Sequence, residues 1–182
     1  MPHHSSDPIV NAIQNGIKRS IQVLIENDCY PSSVVLIYTG MDTMAYLNMP
    51  ATETYVKGKF FISWADRYIR FPCKEQVSGL ELYNARNGVV HTYSSFSRGT
   101  DEGKSRVIGY MDHSIPEVIY KPNDKNLVMV SIKGLAEAFF KAVDQSLIDI
   151  FSDPDTNRKK VVEERLSRLN LTFPFKLPEA DS

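Results

Sequence analysis

Ile9, Ile13, Ile17, Ile21, Leu24 and Ile25 recur every three to four positions, and the same period returns from Phe60 to Ile69 and from Ile132 to Ile150. Apolar residues at this spacing form a stripe along one side of a helix, and a stripe must be covered by another element. The repetition therefore commits the chain to helix packed on helix. Val34 to Leu47 goes further, being apolar on nearly every side except at Thr39, Asp42 and Thr43. That predicts a central helix, buried all round, in a mainly α, up-and-down helical bundle.

Punctuation residues set the expected boundaries. Asp7-Pro8 opens the first helix as cap and first helical residue, and Asn27-Asp28 ends it. Ser32 or Ser33 caps the second helix, and Asn48-Met49-Pro50 breaks the chain after it. Phe60, Phe61, Trp64, Ala65, Tyr68 and Ile69 make an aromatic stripe on a third helix, stopped by Phe71-Pro72. Their helical spacing, without interleaved basic residues, marks core and not a platform for stacking bases. Ser78-Gly79-Leu80-Glu81 has the capping-box form, so a fourth helix runs from there to about Tyr93.

Beyond it the pattern changes. Ser94 to Ser105, rich in Ser and Gly, reads as a mobile loop. At about 106–130 a small β-hairpin insertion is expected. Val107 to Tyr110 and Val118 to Tyr120 form strands around a turn near His113 to Pro116, with Leu127 to Val130 as a candidate third strand. The helical period resumes at Ser131 in a long fifth helix ending by Ser152. Asp153-Pro154 restarts a sixth, with Val161, Val162, Leu166 and Leu169 inward, and an irregular tail follows over about 170–182. No repeat or linker divides the sequence, so 1–182 is read as a single domain.

Composition narrows the class of function. With 42 % apolar and 24 % charged residues among 182, the chain has the profile of one globular domain, not of a disordered or disulfide-stapled one. Lys plus Arg number 21 against 22 Asp plus Glu, so no net field draws it to nucleic acid or an anionic membrane. Cys29 and Cys73 are too few for a disulfide framework and lack zinc-site spacing. A cytoplasmic protein with no metal, no cofactor and no membrane segment is expected, since no basic-then-apolar leader opens the chain and no run of about 18 apolar residues occurs. No nucleophile elbow or phosphate loop points to a small-molecule enzyme.

The fourth helix gathers the reactive groups: Arg86, Asn87, His91 and Tyr93 within eight positions. An imidazole exchanges a proton near neutral pH, a guanidinium holds a phosphate at two points, and Asn87 can orient the imidazole or bind a sugar hydroxyl. These types suit RNA cleavage without a metal. At about 100° per residue, Arg86 and His91 lie about 140° apart on the helix and are expected to diverge, so the site requires a second copy across a two-fold axis. Gly88, a helix-weakening residue, is accounted for either by close helix approach at that axis or by a plain weak spot in the helix.

Arg86-Asn87-x-x-x-His91 resembles the R-polar-x3-H signature of HEPN domains, and Arg86-x4-His91-x-Tyr93 resembles the form found in toxins of HEPN–MNT toxin–antitoxin pairs. The helix order is similar as well. The resemblance implies a homodimer with its cleft between two motif helices, and metal-independent endoribonuclease activity in which the ribose 2′-hydroxyl attacks the adjacent phosphate. It implies Arg86, Asn87 and His91 as the catalytic set, RNA as substrate, and Tyr93 as a residue that a partner nucleotidyltransferase antitoxin modifies by adenylylation. The β insertion and sixth helix depart from the paired toxins. A catalytically silent module, binding a nucleotide or partner protein in the same cleft, is the alternative.

Other residues carry blander readings. Asp42 needs a partner to stay charged among Met41, Met44 and Ala45, either a helix N-terminus or an arginine such as Arg67 or Arg86. Arg158, Lys159, Lys160, Arg165 and Arg168, with Arg98, Lys104 and Arg106 of the loop, read as solvated basic residues interrupted by Glu163 and Glu164. His113 reads as a solvated turn residue, and His3 and His4 as part of a frayed terminus.

Overall fold

The structure, a computed structural model, describes residues 7, 9–112 and 117–169. The expected turn from His113 to Pro116, His113 itself, His3, His4, Pro8 and the tail from Asn170 lie outside the described residues.

Around one buried helix the others assemble. In α2, Tyr30–Asn48, the side chains of Ile37, Tyr38, Met41, Met44 and Ala45 are completely buried. A helix this apolar must be wrapped, and it is covered by α1 (Arg19–Glu26), α3 (Gly58–Tyr68), α4 (Gly79–Thr92), α6 (Ile132–Ser152) and α7 (Thr156–Ser167). The fold is mainly α, as expected. Leading into α1, Ile9–Lys18 is wound as a π-helix, a wider coil that the isoleucine spacing did not distinguish from α. Asp28, at φ 56°, turns the chain between α1 and α2. α2 begins earlier than the serines implied: Pro31 sits in its first turn with φ already helical, and Ser33 Oγ donates back to Tyr30 O instead of capping.

The expected β hairpin is corrected. β1 (Val107–Met111) pairs not with β2 (Ile119–Tyr120) but with β3 (Leu127–Ser131), in parallel, with Val107 opposite Leu127 and Met111 opposite Ser131. β2 pairs antiparallel on the other side of β3, giving the order β1-β3-β2. β3 takes the centre because Val128 and Val130 are wholly buried and because it runs straight into α6, whose first turn Ser131 caps by accepting from Gly134 N. The expected mobile loop also contains a helical turn, α5 (Arg98–Asp101), and is tied to α4 by the bond from Asn84 Nδ2 to Ser105 Oγ, 2.8 Å.

Polar pins cross the core. Ser146 Oγ on α6 accepts from Trp64 Nε1 of α3 at 3.1 Å and from Asn48 Nδ2 of α2 at 2.9 Å, so the aromatic stripe is core, as read. Arg165 of α7 is not part of a solvated basic face. Only 5 % exposed, it donates to the carbonyls of Met49, Pro50 and Glu53 and clamps the chain that leaves α2. Burial lowers its pKa below the usual arginine value, and the guanidinium keeps its charge by holding those carbonyls. Arg165→Ala leaves the carbonyls unpaired and should cost about 2–4 kcal/mol in urea denaturation, whereas Arg168→Ala, at an exposed position, should stay within about 0.5 kcal/mol.

Candidate functional site on α4

α4 is fixed at its start by several bonds. Ser78 Oγ accepts from Glu81 N and Ser78 N donates to Glu81 Oε2, the reciprocal capping box that the sequence predicts. Gly79 N donates to Asp66 of α3 at 2.6 Å. Arg106, read from sequence as a loop cation, is instead locked to Glu81 at 2.5 Å and Glu75 at 2.6 Å. Burial pushes the Glu81 carboxyl up, but the bonds from Arg106 and Ser78 outweigh it and hold the pKa below the ordinary glutamate value.

At the other end Tyr93 closes the helix in the left-handed region at φ 57°, a conformation that side chains other than Gly and Asn rarely take. The returning loop then lies on Gly88. A Cβ there would stand 2.4 Å from Phe96 O and 2.5 Å from Ser94 O. The glycine is thus explained within one chain, by its own loop.

Between these anchors the predicted residues meet. Arg86 Nε and Nη2 both lie 2.7 Å from Asp42 Oδ2 on α2, so of the partners foreseen for Asp42 the structure selects Arg86. Arg86 Nη1 donates to Asn87 Oδ1 at 3.0 Å and stands 3.4 Å from His91 Nε2. The expected divergence of Arg86 and His91 is corrected. Five residues rise about 7.5 Å along a helix, and the long arginine side chain, turned by Asp42, spans that rise and returns to the imidazole. A guanidinium has no acceptor, so the contact with Nε2 is a hydrogen bond only when the imidazole is neutral with its proton on Nδ1. Burial raises the Asp42 carboxyl above the ordinary aspartate value, and the hydrogen bond and charge of Arg86, with the charge of His91, offset this only in part.

Tyr93 stands apart from this trio: it is 65 % exposed, with its hydroxyl 3.3 Å from Ser32 Oγ of α2. His91 is exposed, while Arg86 and Asn87 are half-buried. The sequence reading missed two residues. Asp42 was given Arg86 as one of its possible partners but no place in the site, and Lys57, which with Arg86, Asp42 and Tyr83 lines a depression of about 210 Å³ beside the trio, was not singled out. Lys57 lies outside any motif; it lines the depression because α3, which it precedes, packs on α4, and its ammonium is held by Glu53 at 2.6 Å. Among the described residues, no three of His, Cys, Asp and Glu stand together as metal ligands, and no helix is long and apolar enough to cross a membrane.

Two outcomes test the local construction. Helix propensity alone predicts that Gly88→Ala gains about 1 kcal/mol, but the backbone carbonyls over Gly88 reverse the sign, and calorimetry should register a loss of about 1–3 kcal/mol. A depressed carboxyl contributes stability above its unfolded pKa and loses it as pH falls through the folded value. The stability gap between the parent and Glu81→Gln should therefore be full at neutral pH and shrink below about pH 4.5, the ordinary glutamate value, in denaturant titrations across pH. Compared with known proteins, the chain matches no protein-family model, no curated protein and no solved structure.

Proposed function

We propose that this chain is a HEPN-type domain acting as a metal-independent endoribonuclease, working as a homodimer through α4. One observation carries the reading: Arg86 Nη1, Asn87 Oδ1 and the exposed imidazole of His91 converge at one point of the helix. In this reading the neutral Nε2 of His91 takes the proton of a ribose 2′-hydroxyl, whose oxygen attacks the neighbouring phosphorus. The P–O5′ bond breaks, leaving a 2′,3′-cyclic phosphate, and the departing 5′-oxygen takes a proton from the imidazolium of the second copy. Arg86 steadies the charge that develops on the phosphoryl oxygens, and Asn87 orients the guanidinium.

Leu80, Asn87 and His91 fall on one stripe of α4, within about 40° by helical geometry, and Leu80 is 39 % exposed. That stripe is the surface offered to a second copy. Tyr93, exposed at the helix end, is accessible as the target of a nucleotidyltransferase partner. A second reading, a silent module binding a nucleotide or protein, is favoured by a specific feature: the bond to Asp42 neutralises Arg86, so an incoming phosphate must compete with that carboxylate.

The experiment is RNA cleavage in chelator by the parent, His91→Ala and Arg86→Ala. Each substitution should lower cleavage by about 10²–10⁴-fold, and the parent's products should carry 2′,3′-cyclic phosphate ends. Undiminished cleavage by either variant, or no cleavage by the parent across varied RNAs, overturns the ribonuclease and leaves the silent module. A monomer by light scattering removes the homodimer.

A further inference from the structure

His91 is the exposed member of the trio, and among the described residues its single hydrogen-bond partner is Arg86, whose Nη1 stands 3.4 Å from Nε2. Which ring nitrogen of a neutral histidine carries the proton is set by the bond that the other nitrogen makes. A guanidinium only donates, so while this contact holds, Nε2 is bare and Nδ1 carries the proton. In that form Nε2 is able to take a proton from another group.

The contact lasts only as long as the guanidinium is held in place. Asn87 Oδ1 accepts from the same Nη1 at 3.0 Å, a bond with one charged partner. The other edge is held by a full ion pair: Nε and Nη2 both lie 2.7 Å from Oδ2 of Asp42, and both side chains are about three-quarters buried, where water competes weakly. Asp42 itself stands on α2, the most enclosed helix, so its carboxylate is a fixed point. Nothing else claims it. Among the described residues Arg86 is its only hydrogen-bond and ion-pair partner, and Lys57, the other cation lining the 210 Å³ depression, is held by Glu53 at 2.6 Å. No hydrogen bond joins Asp42 to His91 among the described residues, so its hold on the imidazole runs through Arg86.

From this chain of contacts we propose that Asp42 is a positioning residue: through Arg86 it keeps the proton of neutral His91 on Nδ1 and leaves Nε2 free to act as a base. The role in cleavage rests on the ribonuclease reading, whereas the proton position is a property of the chain without RNA. Because the carboxylate also competes with phosphate for Arg86, its removal should move binding and cleavage in opposite directions.

The test is long-range proton–nitrogen NMR of the histidine rings of the full chain at about pH 8, above the ordinary histidine value, with the His91 signals identified by their loss in His91→Ala. The parent should show Nδ1 protonated and Nε2 bare. In Asp42→Ala the ratio of this form to the Nε2–H form should fall about fivefold, the worth of one hydrogen bond. Formate, a free carboxylate, should restore the ratio where chloride at the same concentration does not. Asp42→Asn keeps the shape without the charge and should also lower the ratio; it decides the matter if Asp42→Ala does not fold. The folded variant should bind a fully 2′-deoxy oligonucleotide at least as tightly as the parent, yet cleave RNA about tenfold more slowly. A parent with Nε2 protonated, or a folded variant with the parent's ratio, overturns the positioning role whatever happens to RNA. Full cleavage by a variant whose ratio has fallen overturns its part in the reaction. The expected ratios with no cleavage by the parent support Asp42 as the residue that sets His91 and remove the ribonuclease alone.

Discussion

Everything in this fold follows from the need to bury α2 on all sides. A helix whose Ile37, Tyr38, Met41, Met44 and Ala45 have no contact with water must be enclosed by several neighbours, and enclosure sets where α1, α3, α4, α6 and α7 lie. Its few polar positions then become decisive. Thr39 and Thr43 satisfy themselves by donating to backbone carbonyls one turn back, Val35 O and Thr39 O. Asp42 has no such outlet, and it reaches across to α4 for Arg86.

That ion pair connects core to site. With both side chains about three-quarters buried, neither charge is tolerable alone, and the energy of the pair is better understood as specificity than as net stability. It fixes one edge of the guanidinium and so aims the opposite nitrogen at Asn87 and His91. The same pairing that orients Arg86 also opposes phosphate binding. In the proposed ribonuclease an incoming phosphate must compete with the Asp42 carboxylate for Arg86.

Two concave surfaces border α4, one along its body and one at its end. At the first, Arg86 and Lys57 border a small depression with their charges paired to Asp42 and Glu53; at the second, Asp112 and three tyrosines border the larger cleft. Tyr93 lines the second, held left-handed where the loop folds back over Gly88.

Much of the architecture was legible because apolar period, proline punctuation and capping are local properties of the chain. The helices around Trp64 and Phe139, the enclosed second helix, the box at Ser78 and Glu81, and the grouping of Arg86, Asn87 and His91 on one helix all follow from neighbours within about four residues. What depends on distant partners did not follow. β3 displaces the expected hairpin because α6 draws it to the centre, and Arg106 and Arg165 leave the solvated face for Glu81 and for the carbonyls after α2. Arg86 bends toward His91 because Asp42, 44 residues earlier, holds its other edge. Sequence alone determined the long helical segments and which side chains share α4; tertiary structure decided whom each charge meets, since a long cation's direction is set by the partner that desolvates with it.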